Sequence, residues 1–119
     1  MNSYRDLIVW KNAIDLAVTC YAETKSFPNS EAYGMTSQIR RAAASIAANI
    51  AEGHGREHTG SFIQFLRVAQ GSLKELETHL ILSSRVGLMN GEVAASLTEQ
   101  CEEIGRMLRS LIRSLQQKQ

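Results

Sequence analysis

The stretch Phe62-Ile-Gln-Phe-Leu66-Arg-Val-Ala69-Gln-Gly-Ser-Leu73-Lys-Glu-Leu76-Glu-Thr-His-Leu80 decides the fold class. Phe62, Leu66, Ala69, Leu73, Leu76 and Leu80 recur at alternating steps of four and three, which places one apolar side chain per turn on one face of an α-helix. The segment after it repeats the pattern with Leu97, Cys101, Ile104, Leu108, Leu111 and Leu115. The segment before it does so with Met35, Ile39, Ala42, Ile46 and Ile50, and Ala43, Ala44, Ala47, Ala48 and Ala51 leave room there for a close neighbour. Nearest the start of the chain, Val9, Ala13, Leu16 and Cys20 form one stripe and Trp10, Ile14, Ala17 and Tyr21 a second.

Three breaks separate these segments: Phe27-Pro28-Asn29-Ser30, the glycines from Gly53 to Gly60, and Gly87 to Gly91. Asp6 is expected to cap the first helix and Pro28 to end it, Asn29 or Ser30 to open the second, and Thr59 or Ser61 the third. Gly87 is the expected C′ residue of the third helix, and Asn90 the cap of the fourth. Gly71 and Gly105 fall inside helices, where each costs about 1 kcal/mol relative to alanine; close contact with a neighbouring helix is the expected compensation. Short turns between long helices make neighbours antiparallel. The expectation is an all-α protein, one domain over 1–119, folded as an antiparallel up-down-up-down four-helix bundle.

Composition agrees with that reading. One proline in 119 residues interrupts few helices, and 44% hydrophobic against 21% charged residues supports a packed core and excludes disorder or a collagen-like chain. Cys20 and Cys101 lack a C-x-x-C spacing and read as small core residues with reduced thiols. The apolar run from Leu7 to Trp10 is cut off by Lys11, too short for a signal peptide, and no window is long enough for a membrane span. A cytoplasmic protein is the expectation. The first helix's second stripe, with Ile63, Phe65, Ile81 and Leu82 on the third, exceeds what one small core buries. It reads either as subunit contacts or as a broad stripe covered by lysine and arginine stems.

The chain contains strings that resemble catalytic or binding motifs, and their contexts argue against each. His54-Gly-Arg-Glu57-His58 spells an inverted zinc-protease motif, yet that chemistry needs both imidazoles on one helical face and Gly53, Gly55 and Gly60 surround the string. A di-metal bundle site needs Glu-x-x-His pairs, which do not occur here. No nucleophile elbow, phosphate loop or dinucleotide fingerprint is present. The start of the third helix, Thr59-Gly-Ser-Phe62-Ile-Gln-Phe65, is too apolar to read bases in a groove. Catalytic residues, metal ligands and cofactors are therefore not assigned.

A net charge of +1 removes the simplest argument for a nucleic-acid partner. Position matters more than number. Arg40 and Arg41 lie on the second helix, Arg56 in the turn after it, Arg67 and Lys74 on the third, and Arg106, Arg109 and Arg113 form a stripe on the fourth. Glu92, Glu99, Glu102 and Glu103 open that last helix, so a solvated face aligned with the helix dipole accounts for the stripe alone. Repeated around a ring, the same stripe would present a cationic surface to phosphate. Gln38, Arg41, Ser45, Asn49, Glu52 and Arg56 form a further polar row at helical steps along the second segment, facing either water or an interface.

Tyr4-Arg-Asp-Leu7-Ile-Val-Trp10-Lys, Phe27-Pro28, Tyr33-Gly-Met-Thr-Ser37-Gln-Ile-Arg40-Arg41-Ala, Ser45-Ile-Ala-Ala-Asn49-Ile-Ala-Glu52-Gly53, Gly55-Arg56 and Gly71-Ser-Leu-Lys-Glu75-Leu-Glu77-Thr span nearly the whole chain. Together they resemble the bacterial four helix bundle protein family, also called the 23S rRNA intervening-sequence protein family. That family is itself similar to the accessory protein of diversity-generating retroelements, a pentameric bundle protein that binds nucleic acid and a reverse transcriptase. The resemblance implies an up-down bundle without catalytic residues, assembled as a homo-oligomer, often a pentamer. Ala47 stands where the family commonly has proline, and Glu57 and His58 where lysine is more usual. The expectation is a scaffold or adaptor whose partner is RNA or DNA, with Arg40, Arg41, Arg56, Arg67, Arg106, Arg109 and Arg113 as contacts. Trp10, Gln38, Asn49, Glu52, Glu75 and Glu77 are the motif or interface positions. The alternative is a purely structural oligomer that binds a protein partner and no nucleic acid.

Overall fold

The computed structural model describes residues 3–118; Met1, Asn2 and Gln119, at the ends of the expected 1–119 domain, lie outside the described residues. Four helices carry the fold: α1 (Ile8–Thr24), α2 (Met35–His54), α3 (Thr59–Arg85) and α4 (Gly91–Gln116), with 3-10 turns at Tyr4–Asp6 and Asn29–Glu31. There is no strand among the described residues. Each helix packs against the next and α4 returns to α1, whereas the diagonal pairs, α1 with α3 and α2 with α4, keep their backbones apart. The bundle is therefore square in section, up-down-up-down, and 46 × 21 × 20 Å in extent. The α2–α3 contact is the most extensive and the α1–α4 contact the thinnest.

The core follows the expected stripes. Val9, Ala13, Leu16 and Cys20 meet Ile39, Ala42, Ala43, Ile46, Ala47 and Ile50, together with Leu66, Ala69, Leu73, Leu76 and Leu80 and Leu97, Cys101, Ile104 and Leu108. Burying one large aliphatic side chain of this kind stabilises the fold by about 1.5–3 kcal/mol. The seams shift at their ends. Ile63 takes the inward place expected of Phe62, which instead packs edge-on against His54 at 5.8 Å. Ile112 replaces Leu111 inside, because a helix of 3.6 residues per turn drifts from a strict 3.5-residue pattern.

The helix boundaries keep some expected caps and replace others. Asn90 caps α4, its carboxamide oxygen accepting from the backbone N–H groups of Glu92 (2.8 Å) and Val93 (3.3 Å). Gly87 closes α3 at φ +83°, a left-handed conformation that glycine adopts without Cβ strain. Asp6 does not cap α1: it lies in the first 3-10 turn, and Leu7 precedes the helix without a side-chain cap. Asn29 and Ser30 open the second 3-10 turn rather than α2. The cap of α2 comes instead from Glu31, whose carboxylate accepts from Met35 N–H at 3.0 Å. Thr59 does begin α3, behind His58 and without a side-chain cap.

The interior glycines divide. A Cβ on Gly105 would stand 3.4 Å from Leu73 Cδ2, so α4 lies close to α3 there, as expected. Gly71 has nothing within 4 Å of the same point, so no neighbouring helix of its own chain compensates for it. The tightest site is Gly53, where a Cβ would sit 2.7 Å from Phe65 Cβ and 3.0 Å from Phe62 Cδ1. Only a residue without a side chain lets the end of α2 cross α3 at that distance.

Candidate nucleic-acid interface

Up-down topology sorts the seven nominated arginines along the bundle. The start of α1, the α2–α3 turn and the end of α4 share one end; the end of α1, the start of α2 and the α3–α4 turn share the other. Arg56, Arg67, Arg106, Arg109 and Arg113 fall in the first half, and Arg40 and Arg41 in the second. All the chain's Lys, Arg, Asp and Glu follow this division. The first half holds eight basic and four acidic side chains, the second five and eight, giving +4 and −3 for the net +1. The two half-centres are roughly 23 Å apart, half of the 46 Å axis. That exceeds the Debye length of about 8 Å at physiological salt, so each end acts as its own patch.

The arginine stripe on α4 is the most available part of the basic end. Arg106, Arg109 and Arg113 are exposed on the face away from the core, and none has an acidic partner within ion-pair distance among the described residues. Glu92, Glu99, Glu102 and Glu103 are exposed on the first half of the same helix. Arg67 and Arg41 are exposed on α3 and α2 respectively.

Two of the nominated arginines are already engaged. Arg40 Nε donates to Thr24 Oγ1 at 2.9 Å, its Nη2 donates to Tyr21 O at 3.3 Å, and its guanidinium lies 4.7 Å from the Tyr21 ring centroid. It clasps the last turn of α1, where backbone carbonyls lack intrahelical donors. Arg56 stacks on Phe65 at 4.7 Å and pairs with Glu52 at 3.1 Å. That exposed pair contributes little by itself.

Of the motif positions, Asn49 reaches the α2–α3 contact, beside Ser45 and Ser72. Ser45 and Ser72 hydroxyls lie 2.8 Å apart, and Asn49 Nδ2 donates to Ser45 O (2.8 Å) and Ser45 Oγ (3.0 Å). The polar row on α2 thus turns inward at its middle and faces solvent at Gln38, Arg41 and Glu52, and Arg56, past the end of α2 in the turn, is exposed as well. Trp10 packs half-buried against the core, edge-on to Tyr4 at 5.1 Å. Glu75 is exposed, and Glu77, nearly buried, accepts from Lys74 at 3.1 Å. His54 ends α2 and His58 precedes α3, so the H-x-x-E-H string spans a turn and its imidazoles do not share a helical face. No group of three or more His, Cys, Asp and Glu side chains is arranged to hold a metal ion among the described residues. Cys20 and Cys101 are free and buried, and burial pushes each thiol up to about 12.

The exposed large hydrophobic residues are unevenly distributed. Ile8, Val18 and Tyr21 lie on α1 and Val68, Ile81 and Leu82 on α3, with Tyr33 and Val86 in the adjoining connections. None lies on α2 or α4. A shallow apolar cleft of about 480 Å³, lined by Leu7, Ile8, Met107 and Leu111 among others, runs between the start of α1 and the end of α4. No helix among the described residues is long and apolar enough to cross a membrane.

A family model described as "23S rRNA-intervening sequence protein" matches residues 5–110. Among solved structures, the chain is similar to a protein of unknown function from the S23 ribosomal protein family of Bacteroides thetaiotaomicron. The two share 28% identity and a TM-score of 0.79, over 88% of this chain and 98% of that one. No curated protein matches.

Proposed function

Since the chain belongs to the 23S rRNA-intervening sequence protein family, we propose that it is a non-enzymatic, homo-oligomeric scaffold that docks RNA, or DNA of similar charge, on its basic end. The observation that carries this reading is the separation of charge along the bundle, +4 in one half and −3 in the other. Copies assembled with their bundles pointing the same way would gather the basic halves on one rim, where phosphate binding releases counterions. Arg106, Arg109 and Arg113 are the proposed phosphate contacts. Arg40, occupied by Thr24 and Tyr21, is not among them. The apolar surface left on α1 and α3 supports self-association, with a pentamer as the expected size. The two free thiols fit a reducing, cytoplasmic setting.

Electrophoretic shifts with a structured RNA across a salt series test the reading. The expected result is binding at low salt that weakens steeply as salt rises, is lost in Arg109→Glu/Arg113→Glu, and survives Arg41→Glu at the other end. Absence of any shift at low salt would refute nucleic-acid binding. The apolar faces would then favour a structural oligomer that serves a protein partner.

A further inference from the structure

Resting on the homo-oligomeric reading above, we infer that the outward face of α1 in one copy docks on the outward face of α3 in the next, with Val18 seated over Gly71 and Asp15 paired with Arg67. These are the two faces that carry exposed large hydrophobic residues, and they lie on opposite corners of the square bundle. One patch therefore cannot meet its own copy while the other does the same across a single twofold axis. A head-to-tail contact satisfies both at once, and such a contact closes into a ring when its rotation allows.

Closure sets two geometric conditions, and the bundle meets both. Rotation without translation requires the two patches to run in the same direction and stand at the same height. α1 and α3 are parallel, being the first and third helices of an up-down-up-down bundle. Their levels are linked by contacts around the bundle. Through α2, Thr24 meets Arg40 and Ser45 meets Ser72, which brings the level of Gly71 to that of Val18. Through α4, Asn12 meets Met107 and Gly105 meets Leu73, which brings it to Asn12. Gly71 thus stands level with the six-residue rise from Asn12 to Val18, about 9 Å of helix.

Shape and charge are complementary at that level. Val18 is 63% exposed, a projecting apolar side chain, and Gly71 offers a bare backbone with nothing within 4 Å of where a Cβ would be. The helix cost of Gly71, which no contact within the chain offsets, is explained by a neighbour's close approach. Asp15 is exposed on the α1 face and Arg67 on the α3 face, one turn from Gly71; neither has an ion-pair partner among the described residues. In such a ring α2 and α4 would form the two walls, and every copy would point the same way.

Cross-linking with a short bis-maleimide tests the assignment, since the native thiols are buried. The double variant Val18→Cys/Gly71→Cys should yield a ladder of covalent oligomers, an equal mixture of the two single variants a dimer only, and either single variant alone nothing. Dimers from Val18→Cys alone would overturn the inference in favour of a twofold α1 contact. So would the absence of a ladder in a double variant that still scatters light as an oligomer. As a second measurement, Asp15→Arg and Arg67→Asp should each lower the assembled mass, and the two together restore it; no restoration counts against the pairing. A wild-type protein that is monomeric by light scattering overturns the homo-oligomeric reading itself, which these outcomes keep separate.

Discussion

Replacing glycine by alanine should have opposite effects at two places in this bundle. At Gly53 the new Cβ would stand 2.7 Å from Phe65 Cβ, 3.0 Å from Phe62 Cδ1 and 3.2 Å from Phe62 O. Neither a Cβ nor a backbone carbonyl moves by a rotamer change, so α3 must shift bodily. Overpacking of this kind sits at the upper end of its usual range, about 3 kcal/mol. The better helix propensity of alanine returns about 1 kcal/mol, leaving a loss of about 2 kcal/mol. For a chain of this length that is a fall of roughly 8 °C in melting temperature. At Gly71 nothing lies within 4 Å, so only propensity acts and the subunit gains about 1 kcal/mol. Gly105→Ala, meeting Leu73 Cδ2 at an ordinary 3.4 Å, should lie between them. Urea denaturation followed by circular dichroism at several chain concentrations reads all three, the subunit contribution being the part of the midpoint that dilution does not move. Changes of the same sign and size at Gly53 and Gly71 would refute the packing argument.

Further predictions concern the caps, the clasp and the thiols. Arg40→Ala removes two hydrogen bonds and a cation–π contact from the last turn of α1 and should cost about 1–2 kcal/mol in denaturation midpoint. Arg40→Lys should recover little, since an ammonium cannot make the forked contact. Asn90→Ala leaves the N–H groups of Glu92 and Val93 without their acceptor and should cost about 1 kcal/mol. Cys20 and Cys101 should resist maleimide in the native state and react fully in urea. Both folded thiols titrate near 12 against an ordinary value of 9. The unfolded chain loses those protons first, so stability should be level below pH 9 and fall as pH rises towards 12; unfolding midpoints measured over that window check the sign.

The fold was legible because its signal is local and repeated. Four helical stripes and three glycine or proline breaks specify an up-down bundle, and the residues expected in the core are nearly all buried. The misplacements occur where a distant residue replaces a near one. Glu31 reaches forward four residues to cap α2, in place of Asn29 or Ser30 at the break itself. Arg40 spans sixteen residues to close α1, and no spacing rule connects a guanidinium to a threonine on the preceding helix. The two interior glycines of α3 and α4 look alike in sequence, and only packing separates Gly105, against Leu73, from Gly71, against nothing. Of the candidate site, the α4 stripe could be read directly from three- and four-residue steps. Its companions emerge only when the stripe is combined with the expected up-down topology, because whether Arg56 and Arg67 share an end with it depends on helix direction.

That dependence changes what the net charge of +1 means. A mean over the chain tests for a polyanion partner only if the charges are mixed, and here they are sorted by end: three arginines close α4 and four glutamates open it. An up-down bundle adds to such a gradient or cancels it, according to where its other charged residues fall. In this one the α2–α3 turn brings Arg56 and Arg67 to the end that already holds Arg113, and the α1–α2 connection brings Glu23 and Glu31 to the end that holds Glu92. The direction of self-association then decides whether the gradient survives assembly. A twofold contact across the long axis would set basic ends against acidic ones and erase it. A head-to-tail contact between parallel helices multiplies it by the number of copies. The α1-to-α3 docking and the basic rim are thus linked, since the first sets every copy pointing the same way and the second requires that.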